Sequence, residues 1–392
     1  MHISNLTVAN FKGFAAREFL LHPQFNLVIG ENGTGKTSVL DALSIAAGSW
    51  FLGLRGYDTR HIRPEEVLLN RFETKHKNGS KQPPSAYTWE AQYPCIVEAR
   101  GEVQKNSLSW KRGLNSPSGR TTYSDARAIK DIAADCDDAV RRGAEVLLPL
   151  ISYYGTGRLW DVPRQQAQVK SEAKLKGREK ISRLTGYRNS VDPRLSVTEL
   201  VRWIARQSWI TFQQGGESTS TYLAVRDAIV RCVDGAEDIY YDANLGEVTV
   251  DMGKQGTQPF NNLSDGQRCM LAMVGDIAHK AATLNPHLGP DVLAETTGIV
   301  LIDELDLHLH PKWQRHVIED LRGAFPKIQF VCSTHSPFLI QSVRSGEELV
   351  MLEGQPPAQV ADTSIEEIVR GIQEFGRVDP GDRTPSPSRN RT

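Results

Sequence analysis

The sequence predicts an α/β fold on a mixed or largely parallel sheet flanked by helices, and three observations predict it. Near the start, the apolar run Gln24-Phe25-Asn26-Leu27-Val28-Ile29 stops at Gly30. It crosses a glycine-rich loop and enters Thr37–Ala46, whose apolar residues recur at helical spacing. Far downstream, Ile299-Val300-Leu301-Ile302 and Ile328-Gln329-Phe330-Val331-Cys332 are short apolar runs separated by a helix that opens at Pro311. Strands alternating with helices need crossover connections, and crossovers make the strands parallel. Finally, 39% hydrophobic residues over 392 positions suffice for a core and exclude wholesale disorder.

At roughly 150 residues per domain, the length allows two or three domains, or one large domain with an insertion. The formal net charge of −1 argues against a polycation but leaves room for a local basic surface. No apolar run reaches the roughly 18 residues of a membrane span, so no membrane partner is expected. The alternating start Met1-His2-Ile3-Ser4-Asn5-Leu6-Thr7-Val8 reads as a strand rather than a signal peptide. Five widely spaced cysteines (Cys95, Cys136, Cys232, Cys269, Cys332) without a C-x-x-C fit buried reduced thiols in a cytoplasmic protein.

In chain order, the polar stretch from Arg71 to Gly119 is interrupted by Cys95–Ala99 and Ser107–Trp110, which suggests exposed hairpins and loops. Asp125–Arg142 reads as a helix, and Val146–Ile151 leads into a strand ending at Tyr153-Tyr154-Gly155-Thr156-Gly157-Arg158. Asp161–Arg194 then carries nine Lys/Arg against four acids, a local surplus of +5. That suits either a solvated segment or a surface for nucleic-acid phosphates or a partner. Ser196–Gln214 looks helical with Leu200, Trp203 and Ile204 on one face. A long helix opens after Asn262, and 376–392 reads as a disordered tail.

Gly30-Glu31-Asn32-Gly33-Thr34-Gly35-Lys36-Thr37 matches G-x-x-x-x-G-K-[ST] and sits between a strand and a helix, as its mechanism requires. Backbone N–H groups of such a loop and the helix dipole cradle phosphates. Asn32, Gly33, Thr34, Gly35, Lys36, Thr37 and Ser38 are the expected nucleotide contacts. Lys36 reaches the β/γ-phosphates and the Thr37 hydroxyl ligates Mg²⁺. A second carboxylate site completes such a machine. The strand at 299–302 delivers Asp303 as the Mg²⁺ residue and Glu304 to orient or deprotonate the attacking water.

Further motifs resemble those of ABC-type ATPases, within the P-loop NTPase class. Leu263-Ser264-Asp265-Gly266-Gln267 is similar to the L-S-G-G-Q signature, with Asp265 replacing its first glycine. Ser264 also suits a helix N-cap. In that family the signature binds the γ-phosphate of nucleotide on the opposite subunit, which implies nucleotide contacts for Ser264, Gly266 and Gln267. Leu305-Asp306-Leu307-His308-Leu309-His310-Pro311 resembles the D-loop of the SMC/RecF/OLD branch, so Asp306 joins the site. His308 and His310 lack a spaced third ligand, which argues against a metal pair. Cys332-Ser333-Thr334-His335-Ser336-Pro337 resembles the H-loop, implying that His335 contacts the γ-phosphate.

Asn10-Phe11-Lys12-Gly13-Phe14 also resembles the segment that opens such ATPases. Together with Tyr153–Trp160 the motifs are similar to a bacterial AAA-type group called "ATP-binding protein involved in virulence" and to PtuA-like and retron anti-phage ATPases. The resemblance covers about residues 1–50 and 260–345. Its Q-loop glutamine is not assigned, with Gln165 and Gln166 as candidates. The implied organisation is an ABC-type head. Residues 1–160 form one lobe, 161–260 an inserted basic, helical region, 261–375 a second lobe, and 376–392 a tail.

The implied function is ATP binding and hydrolysis in a head-to-tail dimer or higher oligomer that sandwiches ATP and Mg²⁺. That dimer gates a separate nuclease or effector in anti-phage defence or DNA processing, with DNA or RNA engaged through Asp161–Arg194. A nucleotide-bound scaffold with little turnover and a transporter ATPase subunit are the alternatives. The chain has no heptads for a long coiled coil and no metal-nuclease cluster of its own.

Overall fold

A computed structural model describes residues 1–73, 87–157, 182–193 and 197–352. Arg158, Leu159, Trp160, Gln165, Gln166, most of the basic stretch and the 376–392 tail lie outside the described residues.

The central layer is a five-stranded, wholly parallel sheet. Its strands are β3 (Phe25–Ile29), β8 (Leu150–Tyr154), β12 (Gly298–Ile302), β13 (Ile328–Ser333) and β14 (Leu349–Met351). They stand in the order β14-β3-β13-β12-β8. The first four are buried at every residue, because helices and a second sheet cover both faces. This explains why they read as continuous apolar runs rather than alternations. β12 starts on a glycine for a steric reason: a Cβ on Gly298 would lie 2.0 Å from the Leu150 carbonyl of β8.

A four-stranded antiparallel sheet runs in the order β2-β1-β6-β7. Its strands are β1 (His2–Phe11), β2 (Phe14–Leu20), β6 (Cys95–Val103) and β7 (Asn106–Leu114). Helix α1 (Lys36–Ala47) lies between the two sheets and packs on both. The hairpin β6–β7 is not the exposed feature its polar composition suggested. Cys95, Val97, Ala99, Val103 and Trp110 are buried, and the Trp110 indole donates to Ala46 O at 2.9 Å. Alternation hid this face, since only every second residue turns inward. The ribbon β4 (Leu69–Glu73) with β5 (Tyr87–Ala91) does stay exposed, with Trp89 60% accessible.

Two side chains tie the two sheets among the described residues, and one is Arg17 of β2, which donates to Met351 O of β14 at 3.0 Å. The other, Gln329 of β13, accepts from Ile3 N at 2.9 Å and donates to Ile3 O at 2.7 Å, where the β1–β6 register shifts. Helix α2 (Arg127–Arg141) then precedes β8. All five cysteines are free and buried, and burial pushes the Cys95 and Cys232 thiols up to about 12.

Between β8 and the next core strand lie α3 (Val197–Gln213), α4 (Ser220–Cys232) and a three-stranded antiparallel sheet. That sheet is β9 (Asp238–Asp242), β10 (Glu247–Asp251) and β11 (Thr257–Pro259). This sheet stands beside the helices and was not read from the sequence, because short, polar-edged strands carry little periodic signal. α3 and α4 pack on α5 (Asp265–Leu284) at Gly275, where a Cβ would meet Leu200 Cδ2 at 2.5 Å. Met270, Leu271, Val274 and Ile277 are buried as their spacing predicts, but so is most of the rest of α5. The helix is clasped on several sides rather than one.

Candidate nucleotide site

The phosphate loop follows β3 at the end of the parallel sheet. Gly33 (φ +84°) and Gly35 (φ +104°) take left-handed backbone, which suits glycine and lets α1 start immediately at Lys36. Gly35 has a second reason: a Cβ there would lie 2.8 Å from the Phe14 ring. Thus the Asn10–Phe14 segment packs beneath the loop. Lys12, itself at φ +48°, forms an ion pair with Asp41 of α1 and donates its N–H to Glu66 O at 2.6 Å. Lys36 is buried, its ammonium donating to Gly30 O and Glu31 O at 2.8 Å each. Asn32 and Gly33 are exposed at the loop tip, and Thr34 donates to Glu31 O at 2.9 Å. Ser38 follows on the first turn of α1, half-buried.

Asp303 is buried beside this loop. One carboxylate oxygen accepts from Thr37 Oγ1 at 2.9 Å, and the other accepts from Ser333 Oγ at 2.5 Å. The same Ser333 hydroxyl oxygen accepts from Glu304 N at 2.8 Å. Glu304 has φ +50°, a left-handed turn just past the end of β12. A hydroxyl and a carboxylate converging in this way are hard oxygen donors of the kind Mg²⁺ takes. Ser333 was not singled out from the sequence as a bridging group. Its signal was a polar residue ending a buried strand next to the acidic one.

A second cluster also escaped the motif reading. Asp41, one helical turn beyond Thr37, meets Lys12, Arg60 at 3.5 Å and the Tyr153 hydroxyl at 3.4 Å. Burial, reinforced by Asp41, pushes the Tyr153 phenol above its usual range, so it stays a neutral donor. These contacts hold α1 against β8 and the turn at Arg60.

The signature residues form a helix start. Ser264 caps α5: its hydroxyl oxygen accepts from Gln267 N at 3.4 Å while Gln267 Oε1 accepts from Ser264 N at 3.1 Å. Asp265 pairs with Arg268. Gly266 is buried because the D-loop passes over it, so a Cβ would lie 2.6 Å from His308 O. His308 is exposed at φ +65°, and His310 caps a short helix by accepting from Lys312 N at 3.2 Å. No group of three metal-ligating residues occurs among the described residues. Asp306 accepts from the Thr334 hydroxyl, which joins the D-loop to the H-loop, and His335 next to it is exposed.

The structure thus unites Thr37, Asp303, Ser333 and Glu304 in one chain of hydrogen bonds, with the Lys36 ammonium held by the loop carbonyls Gly30 O and Glu31 O. It links Asp306 to the H-loop and Gly266 to the D-loop. No helix among the described residues is long and apolar enough to cross a membrane.

Comparison with known proteins follows the same lines. The chain is 47% identical to "Retron Vc95 probable ATPase" of Vibrio cholerae serotype O1 biovar El Tor, over 24% of its own length and 18% of that protein. It is 22% identical to "Retron Ec83 probable ATPase" of Escherichia coli, over 91% of its own length and 72% of that protein. It is 25% identical to "Septu protein PtuA" of Bacillus mycoides (strain KBAB4), over 90% of its own length and 41% of that protein. The chain therefore spans well under two thirds of two of these relatives. Residues 25–341, from β3 through the H-loop, match the family described as "AAA domain, putative AbiEii toxin, Type IV TA system", and the chain belongs to that family.

Proposed function

We propose that the chain is an ATP-hydrolysing head that closes on a second copy around two ATP molecules and reopens on hydrolysis. What supports the reading above all is Ser333, whose hydroxyl joins the Asp303 side chain to the Glu304 backbone beside Thr37. In this reading Lys36 turns from the loop carbonyls to the β/γ-phosphates, with Asn32, Gly33, Thr34, Gly35 and Ser38 completing the cradle. Thr37 and Asp303 hold Mg²⁺, which when bound offsets phosphate charge. Glu304 takes the proton of the attacking water. Ser264, Gly266 and Gln267 of the second copy meet the γ-phosphate at a helix N-terminus, where N–H groups favour anions. His335 senses that phosphate, and Asp306 relays its presence along the D-loop.

The two lobes are 1–160 and 261–375, and the inserted 161–260 region carries the output. That output is the gating of a separate nuclease or effector in the cytoplasm, in anti-phage defence or DNA processing. Relatives named for retron and Septu systems support this direction. A Glu304→Gln variant tests the core of the proposal. It should bind ATP, dimerise, and lose about 10²–10⁴-fold in turnover, the range of a general base. Unchanged turnover would remove Glu304 from the role. A variant that stays monomeric with saturating ATP would remove the sandwich.

A further inference from the structure

The inserted region contributes to a second polar cavity that shares no residue with the nucleotide site. It is a solvent-open cleft of about 350 Å³ between Ser182–Arg188, α3 and the C-terminal half of α5. Four arginines line it, Arg183, Arg188, Arg202 and Arg206, against the single acid Glu199. Arg183 is committed to the fold, donating to Val146 O at 2.8 Å, Leu284 O at 2.9 Å and Ala144 O at 2.9 Å. Glu199 pairs with both Arg188 at 3.9 Å and Arg202 at 3.4 Å, so a single carboxylate faces two guanidiniums and the lining keeps a positive surplus.

Three atoms in this lining are buried without a hydrogen-bond partner: Arg188 Nε, His279 Nδ1 and Thr283 Oγ1. Buried polar groups are seldom left unpaired, so three around one cavity call for a reason. A ligand that supplies acceptors is one. Burial lowers the His279 pKa to about 4, so the ring is neutral at pH 7 and the excess charge of the lining belongs to the arginines.

The charge and shape specify the ligand class. Arginine forks fit phosphate oxygens better than isolated point charges do. A volume near the lower limit of small-molecule pockets admits one nucleotide but not a duplex. Trp203 lies in the same wall, its ring 5.3 Å from His279, and gives a base a flat apolar neighbour. A neighbouring small cavity of about 20 Å³ shares Arg188, Glu199 and His279 with it and is also lined by Tyr154, Asp276 and Lys280. Tyr154 donates to Asp276 at 2.7 Å, and its carbonyl accepts from Asp303 N at 2.8 Å. One residue of β8 therefore separates the small neighbouring cavity from the acidic strand of the nucleotide site.

We propose that this cavity binds the phosphate of a single nucleotide, free or at the end of a strand, on Arg188, Arg202 and Arg206 beside Trp203. The site stands independently of head dimerisation. The test uses the full chain carrying Lys36→Ala, which disables the phosphate loop. It is titrated calorimetrically with AMP, inorganic phosphate and a 5′-phosphorylated single-stranded oligonucleotide. Saturable binding of one AMP or one strand end per chain is expected, tighter than inorganic phosphate.

Arg188→Gln and Arg206→Gln should each weaken it about tenfold or more, as for a lost charge-assisted hydrogen bond. Arg206 is exposed, so its variant isolates binding from folding. AMP binding alone identifies a free nucleotide, and tighter binding of the oligonucleotide identifies a strand end. No saturable binding of any of the three probes overturns the proposal. So does binding indifferent to both variants, or an equal loss on Arg127→Gln, which lies outside the cavity.

Discussion

The two ends of α5 are built in opposite ways. At the N-terminus, Ser264 and Gln267 satisfy each other, Gly266 lies tight under His308 O, and Asp265 pairs with Arg268, whose Nε alone of this group is left without a partner. Toward the C-terminus, His279 and Thr283 leave polar atoms buried and unpaired, as does Arg188 opposite them. A cap whose groups bond each other is set before any ligand arrives. An open set keeps its bonding capacity in reserve, at a cost in stability. The difference teaches that one helix can hold a preorganised end and an end that a ligand completes.

The largest effect comes from removing the acid at the centre of the nucleotide site, which leaves the open end of α5 untouched. Asp303→Ala deprives Thr37 and Ser333 of their common acceptor and frees the Glu304 turn. ATP turnover should fall by about 10²–10³-fold, the scale of losing one fixed electrostatic contact. Nucleotide binding in the 350 Å³ cavity should persist in the same variant. Loss of both together would show one site rather than two.

Gly266→Ala attacks the tight packing itself. The added Cβ meets a backbone carbonyl, which has no rotamer to retreat into, so about 1–3 kcal/mol of stability should be lost in chemical denaturation. An unchanged midpoint would mean that the D-loop shifts freely over the signature.

The closed side was legible because its chemistry is local. Gly30–Thr37, Asp303-Glu304 and Ser264–Gln267 are each contiguous, and a backbone loop, a strand end and a helix cap are dictated by neighbours in sequence. Ser333 and Asp41 were not legible. Ser333 meets Asp303 only because β13 lies parallel beside β12, and Asp41 meets Tyr153 only because α1 crosses β8. The cavity was further still from view. Its arginines come from two separate segments, and only the excess of basic residues in Asp161–Arg194 hinted at it. The buried parallel strands could be read from their unbroken apolar runs. The β9–β11 sheet, short and half exposed, gave no such run.

Ser264→Ala is a milder probe of the closed end. Losing an N-cap costs about 1 kcal/mol, so the unfolding midpoint of the isolated chain should move only slightly. If the hydroxyl also serves a second copy, ATP-dependent dimerisation measured by light scattering should drop far more than stability does. Equal, small changes in both would make Ser264 a cap and nothing else.

The smallest effect tests the open end and comes from pH. His279 faces Asp276, which raises its pKa, and Lys280, which lowers it, but burial dominates and holds it at about 4. An unfolded chain takes up this proton near pH 6.5, where the native chain does not. The unfolded state therefore binds more protons between these values, and stability falls as pH drops from about 6.5 to about 4. The slope is at most ~1.4 kcal/mol per pH unit, with no contribution above that window. Denaturant midpoints across pH 4–7 should show this slope, and His279→Gln should flatten it. A slope that His279→Gln leaves unchanged would mean that another group takes up the proton in this window.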